Sequence, residues 1–210
     1  MWLVYLPSLF FDGDIQLYND FVNMRLPLPI ALTATGYASN YWSIGTAFFW
    51  SPFYLAAKLF AASPVNQYGP WFWFWTNFGT IFYGIVTFFL LYSILKLRGE
   101  NKSAWPLALL AFAGTPMVYY TFVIGCTAHC ISAFAVTLFI WYWLYSFDQY
   151  KKTVRYLILG ILLGLAAMAR TQEVLFAFTV MVELILRFRK ELDIKAIGKY
   201  GVVFSAGLKR

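Results

Sequence analysis

Five polar residues stand out because they sit against or inside strongly apolar sequence. Asp12-Gly13-Asp14 follows directly on an apolar stretch over residues 1–11. Two carboxylates one residue apart, with a glycine between them, can turn the chain and present both groups to one space. That suits a general base, or a divalent cation that would in turn hold a phosphate. The same three residues also make an ordinary solvated turn at a helix end. Arg170 interrupts the run GILLGLAAMAR over residues 160–170. A cation within apolar sequence is costly and either pairs or faces a cavity. Glu173, three residues on, is one partner. A phosphate, which guanidinium binds bidentately, is another. His129, the only histidine, lies in Gly125-Cys126-Thr127-Ala128-His129-Cys130. Zinc sites normally need four ligands, and no second cluster accompanies this one. Cys126 and Cys130 therefore read as packing residues. His129 reads as a polar group facing a cavity or as a hydrogen-bonded helix end.

The frame that must position these residues is set by composition. Of 210 residues, 61% are hydrophobic, 22% aromatic and 12% charged, and mean hydropathy is +0.66. Soluble domains run at roughly 45–50% apolar and about 25% charged, so this chain has too little polar surface to cover a water-soluble globule. Two cysteines exclude a disulfide scaffold, and the scarcity of charge excludes disorder. The solvent implied is lipid, and the fold class expected is an all-α polytopic transmembrane helix bundle.

A spanning helix needs about 20 mostly apolar residues. Residues 70–95 are charge-free, 104–122 form a second block, and 132–147, starting as early as 127, form a third. Residues 156–186 form a fourth, interrupted by Arg170, Gln172, Glu173 and Glu183. Residues 1–11 are too short to span and read as the last turns of a first helix. Residues 200–208 read as the opening of a further one, so the chain reads as the front part of a longer protein, and no basic segment precedes the apolar start as a signal peptide would require. Between the blocks lie three basic clusters: Lys96, Arg98 and Lys102; Lys151, Lys152 and Arg155; and Arg187, Arg189, Lys190, Lys195 and Lys199. Together they hold eleven of the sixteen Lys and Arg residues. Lys and Arg are retained on the cytoplasmic side. Putting all three clusters there makes residues 156–186 a hairpin that turns near Arg170 to Glu173. Each arm is about 13 to 16 residues, roughly 20–24 Å at 1.5 Å per residue, short of a core of about 30 Å. The net charge of +7 thus orients the chain and argues against a nucleic-acid partner.

Residues 12–69 fall outside, with Arg25 and Lys58 their only cations. Residues 43–62, punctuated by Pro52 and interrupted by Lys58, read as one or two helices at the outer interface or packed on the bundle. The aromatic run 71–75 suits the headgroup level. Asp12, Asp14, His129, Arg170 and Glu173 all fall on the outer side of this topology. Glu100, Asp148, Glu191 and Asp193 read as solvated loop charges and Asp20 as an outer-loop charge, while Glu183 has no evident place.

Four stretches carry a resemblance: FFDGDIQLYNDF (10–21), YWSIGTAFFWSPFYLAAKLF (41–60), GTPMVYYTFVIGCTAHCISAF (114–134) and GILLGLAAMARTQEVLF (160–176). In this order they resemble the GT-C superfamily of polytopic glycosyltransferases. The resemblance is to the protein O-mannosyltransferase-like and lipid A aminoarabinose transferase-like, family 39-type members. It implies one membrane-embedded GT-C-like domain over residues 1–210, in a bacterial cytoplasmic membrane, with an extracytoplasmic first loop. It further implies an inverting transfer of a sugar from a polyprenyl-phosphate donor to a glycan, lipid or protein acceptor. Carried over by residue, Asp14 or Asp12 is the general base, Arg170 holds the carrier phosphate, and His129 and Glu173 line the cavity. Many relatives have Asp-Glu where this chain has Asp-Gly-Asp, which leaves both the base and a divalent cation at Asp12 and Asp14 open. The rivals are a transporter or flippase for lipid-linked sugars, whose polar groups would reach both faces, and a non-catalytic membrane subunit.

Overall fold

A computed structural model describes residues 2–26, 32–62, 66–149, 152–188 and 194–208. Lys151, Arg189, Lys190, Glu191 and Asp193 lie outside the described residues. Those described form helices and connecting turns, with a single isolated bridge between Leu32 and Ala38. The α-helices are α1 Tyr5–Pro7, α2 Tyr18–Asn23, α3 Gly45–Leu59, α4 Pro70–Leu97, α5 Ala104–Ala113, α6 Ala128–Tyr145, α7 Thr153–Ala169, α8 Ala177–Phe188 and α9 Ile194–Leu208. Two of them, α4 and α6, are long and apolar enough to cross a membrane. Only 22% and 33% of their most apolar windows is buried inside the protein, unlike the core helices of a soluble globule. Along α4, Phe74, Phe78, Phe82, Ile85 and Phe89 form one exposed stripe at helical spacing.

The chain divides into two compact units, Met1–Gly84 with Met117–Ile131, and Ile85–Pro116 with Ser132–Arg210. In the first, α3 runs antiparallel to the opening half of α4. Trp71 Nε1 donates to the Ala57 carbonyl at 2.9 Å, Trp50 Nε1 to Thr80 Oγ1 at 3.1 Å, and the Tyr83 hydroxyl to the Phe49 carbonyl at 2.9 Å. The segment expected as one or two interfacial helices is therefore one helix packed along α4. Pro52 lies inside it. A proline has no N–H to give the carbonyl four residues back, and here the Ser51 hydroxyl donates to that carbonyl, Phe48 O, at 2.7 Å. Before α3, residues 2–12 coil through a 3-10 turn, α1 and a wider π turn over Ser8–Asp12. Phe11 packs edge-on against Tyr54 and Phe72.

The second expected span does not run to residue 122. Helix α5 stops at Ala113, Gly114 caps it, and Pro116 follows. The chain resumes as a π turn over Tyr119–Val123 that belongs to the first unit. In the second unit, α5 packs on the closing half of α4 through Phe88, Trp105 and Phe112. The hairpin expected near Arg170 is present. Helix α7 ends at Ala169, Arg170 is extended (φ −149°, ψ 119°), a 3-10 turn covers Thr171–Phe176, and α8 begins at Ala177. Arg155, near the start of α7, bonds Glu183, midway along α8, at 3.0 Å, so beyond the turn α8 folds back along α7. Helix α9 lies against α7 at unusually close range. A Cβ built on Gly160 would stand 2.1 Å from the Phe204 carbonyl and 2.9 Å from Gly207 Cα, so only glycine admits this backbone approach.

Candidate functional site

The first unit holds Asp12, Asp14 and His129. The π turn over Ser8–Asp12 is closed by Gly13, whose left-handed φ of 72° lets its N–H reach the Ser8 carbonyl. This conformation throws Asp12 and Asp14 into different surroundings. Asp14 folds back on the turn: its Oδ1 accepts the buried Ser8 hydroxyl and the Gln16 backbone N–H, each at 3.0 Å. Asp12 is exposed. Its Oδ2 accepts from Asn19 Nδ2 at 2.6 Å and its Oδ1 from Gln67 Nε2 at 3.4 Å.

From Asp12 a polar chain runs inward. Gln67 Nε2 also donates to the Tyr68 hydroxyl at 2.8 Å, and that hydroxyl donates to Asp20 Oδ1 at 3.0 Å. Asn23 Nδ2 adds a donor to the same hydroxyl at 3.2 Å. Asp20 has no accessible surface, and its Oδ2 has no hydrogen-bond partner. Burial pushes its carboxyl up to about 6; the neighbouring charges of Asp12 and Asp14 push the same way, and the Tyr68 hydroxyl opposes them. Burial likewise raises the Tyr68 phenol. Sequence reasoning passed over Asp20 as a loop charge. Its burial depends on α2 packing through Leu17 and Phe21 onto Val4, which no local motif announces.

Lys58, the outer-loop cation expected nearby, donates to the Phe10 carbonyl and sits 4.4 Å from the centre of the Phe11 ring. Among the described residues, no group of three or more His, Cys, Asp and Glu side chains is placed to hold a metal ion. Both oxygens of Asp12 and Oδ1 of Asp14 already accept from Asn19, Gln67, Ser8 and Gln16. His129 is half-buried on the first turn of α6 and stacks on Tyr120, with ring centroids 4.3 Å apart. Cys126 and Cys130 are free, buried thiols. Cys130 bonds the Thr80 carbonyl at 3.3 Å, which agrees with a packing role.

Arg170 and Glu173 belong to the second unit. The Glu173 N–H donates to the Arg170 carbonyl at 3.0 Å, and its carboxylate accepts the Ser132 hydroxyl at 2.6 Å. Roughly 16 Å along α6, eleven residues on, the second unit carries a buried ionic cluster. Glu183 Oε2 accepts from Arg155 Nη2 at 3.0 Å and Trp143 Nε1 at 2.6 Å, and Oε1 accepts from Arg187 Nε at 2.8 Å. Arg155 also donates through Nε to Ser146 Oγ at 3.0 Å, and only 1% of its surface is exposed. It is thus no solvated loop base, as its neighbours Lys151 and Lys152 suggested, and Glu183 acquires its place as the counter-ion that two arginines share.

No protein family, curated protein or solved structure matches the chain.

Proposed function

We propose that this chain is an integral-membrane glycosyltransferase of GT-C type, built as a polytopic helical bundle. It moves a sugar from a polyprenyl-phosphate donor to an acceptor on the extracytoplasmic face of a bacterial cytoplasmic membrane. The observation that carries the reading is the carboxylate pair in the first unit. Asp12 is exposed and fixed by two amide donors, and Gln67 and Tyr68 tie it to the buried Asp20. A hydroxyl acceptor must lose a proton as it attacks the anomeric carbon, while the electrons of the breaking C–O bond leave with the phosphate. A carboxylate positioned at the surface takes such a proton. Asp12 is the base in this reading. Asp20 supports it, and Asp14, engaged by Ser8 and Gln16, shapes the turn. The roles of Arg170 toward the carrier phosphate, and of His129 and Glu173 as cavity groups, rest on the resemblance.

The non-catalytic subunit is the second reading, favoured by the Asp14 contacts, which are those of a plain turn. Transfer from a polyprenyl-phosphate sugar, measured in membranes containing equal amounts of each variant, separates the two. Asp12→Asn is expected to lower transfer by about 10²-fold or more, and Asp14→Asn, whose amide oxygen still accepts both bonds, to leave it near wild type. Undiminished transfer by Asp12→Asn would overturn the catalytic assignment.

A further inference from the structure

Beside the ionic cluster of the second unit lies an open groove of about 670 Å³. Its apolar lining is Trp143, Phe147, Phe178, Val182 and Leu186, and Glu183 and Arg187 also line it. Along α8 it extends from Phe178 to Arg187, about 14 Å at 1.5 Å per residue. That is close to the depth of one leaflet of a core about 30 Å thick. The apolar wall therefore has the length of an acyl chain lying along one leaflet.

Charge at one end of the groove restricts what lies in it. Arg155 and Arg187 face the single carboxylate of Glu183, so the cluster keeps one net positive charge. Arg187 lies over the Phe147 ring at 3.9 Å, with a side-chain exposure of 19%. The sequence on either side adds to this: residues 148–155 and 183–190 together hold six Lys and Arg against Asp148 and Glu183. A ligand that matches both features has an acyl tail and an anionic head. Basic pockets between helices take anionic lipid headgroups by the same electrostatics.

We propose that this groove binds an anionic glycerophospholipid, with a chain along Phe178, Val182 and Leu186 and the headgroup phosphate at Arg187. The site stands on the membrane reading and not on the transferase reading, so the two fail separately. Native mass spectrometry of the full chain, released from detergent after incubation with equimolar phosphatidylglycerol and phosphatidylcholine, tests it. Phosphatidylglycerol should be retained in preference. Arg187→Gln should lower that preference about fivefold, the factor that one surface cation is worth toward an anionic membrane lipid, and Arg187→Lys should restore most of it. Val182→Trp fills the groove at a half-exposed position without touching the ionic cluster. It should lower retention of phosphatidylglycerol several-fold at unchanged helix content, so the test survives if Arg187→Gln does not fold. Equal retention of the two lipids overturns the proposal, as does retention indifferent to Val182→Trp. A dimer abolished by Val182→Trp would assign the groove to a second copy. Displacement of the lipid by millimolar inorganic phosphate would reduce the site to a phosphate site.

Discussion

Replacing Tyr68 by Phe removes the hydroxyl that donates to Asp20 Oδ1 at 3.0 Å, and the direction of the effect follows from what sets that carboxyl. Burial is the largest influence and raises its pKa, the charges of Asp12 and Asp14 raise it further, and the Tyr68 bond lowers it. Tyr68→Phe therefore moves the midpoint up from about 6, and Asp12→Asn moves it down. With a midpoint of about 6, Asp20 is about nine-tenths ionised at pH 7 and about one-tenth at pH 5, against an ordinary aspartate that is mostly ionised at both. The sign for stability is also fixed. The folded value lies above the unfolded value of 3.8, so the native state binds this proton more tightly. The stabilisation is full below pH 3.8 and is lost as pH rises through 6. A shift of about two units corresponds to ~3 kcal/mol at 1.36 per unit. Asp20 itself is covered, but its neighbours Asp12 and Asp14 are exposed, and solvent that close reduces this to ~1 kcal/mol. Asp20→Asn keeps an acceptor for Tyr68 and cannot ionise. It should equal the wild type in thermal unfolding below about pH 3 and exceed it by ~1 kcal/mol at pH 7. Carbon-13 carboxyl shifts of labelled aspartate in nanodiscs read the midpoint directly. A wild-type midpoint for Asp20 near 4, or a downward move in Tyr68→Phe, would refute the account of this site.

Two predictions concern the second unit. Glu183→Gln removes the one charge that Arg155 and Arg187 share. Leaving a buried guanidinium without its counter-ion should cost about 3–5 kcal/mol, seen as a fall in detergent thermal stability much larger than that of Arg155→Leu with Glu183→Leu combined. Gly160→Ala would set a methyl 2.1 Å from the Phe204 carbonyl, a backbone atom. It should loosen α9 from α7 and expose residues 194–208 to protease, whereas Gly201→Ala, with nothing within 4 Å of its Cβ, should not.

What the sequence made legible was set by local composition. The charge-free run over 70–95 and the apolar run ending at 147 became α4 and α6 because nothing in them competes with a long helix. The turn at Arg170 followed from the need to keep two basic clusters at one end, and the antiparallel pairing of Arg155 with Glu183 has that geometry. The break after Ala113 was signalled by Gly114 and Pro116 but read through, because the block stays apolar to Phe122. The difference between Asp12 and Asp14 was not legible. It depends on a left-handed Gly13 and on Ser8, six residues before Asp14. Asp20 was hidden for the same reason: its partner, Tyr68, comes nearly fifty residues later.

Glu183 shows how a long-range partner changes the function a residue argues for. Alone in an apolar arm it is a polar group deep in a hairpin, with no evident place. Held by Arg155, Arg187 and Trp143, both of its oxygens are occupied by charged or indole donors. A carboxylate so engaged does not bind and release a substrate without breaking contacts worth several kcal/mol. The cluster fixes the register of α7 against α8. It also keeps its excess positive charge at the end of α8 where the connecting segments are basic. Asp12, in the other unit, is a carboxylate exposed to solvent and held by two side-chain amides, Asn19 and Gln67. The case for chemistry therefore rests on Asp12 and the buried Asp20 behind it, and the second unit's ionic cluster argues for structure and for a lipid.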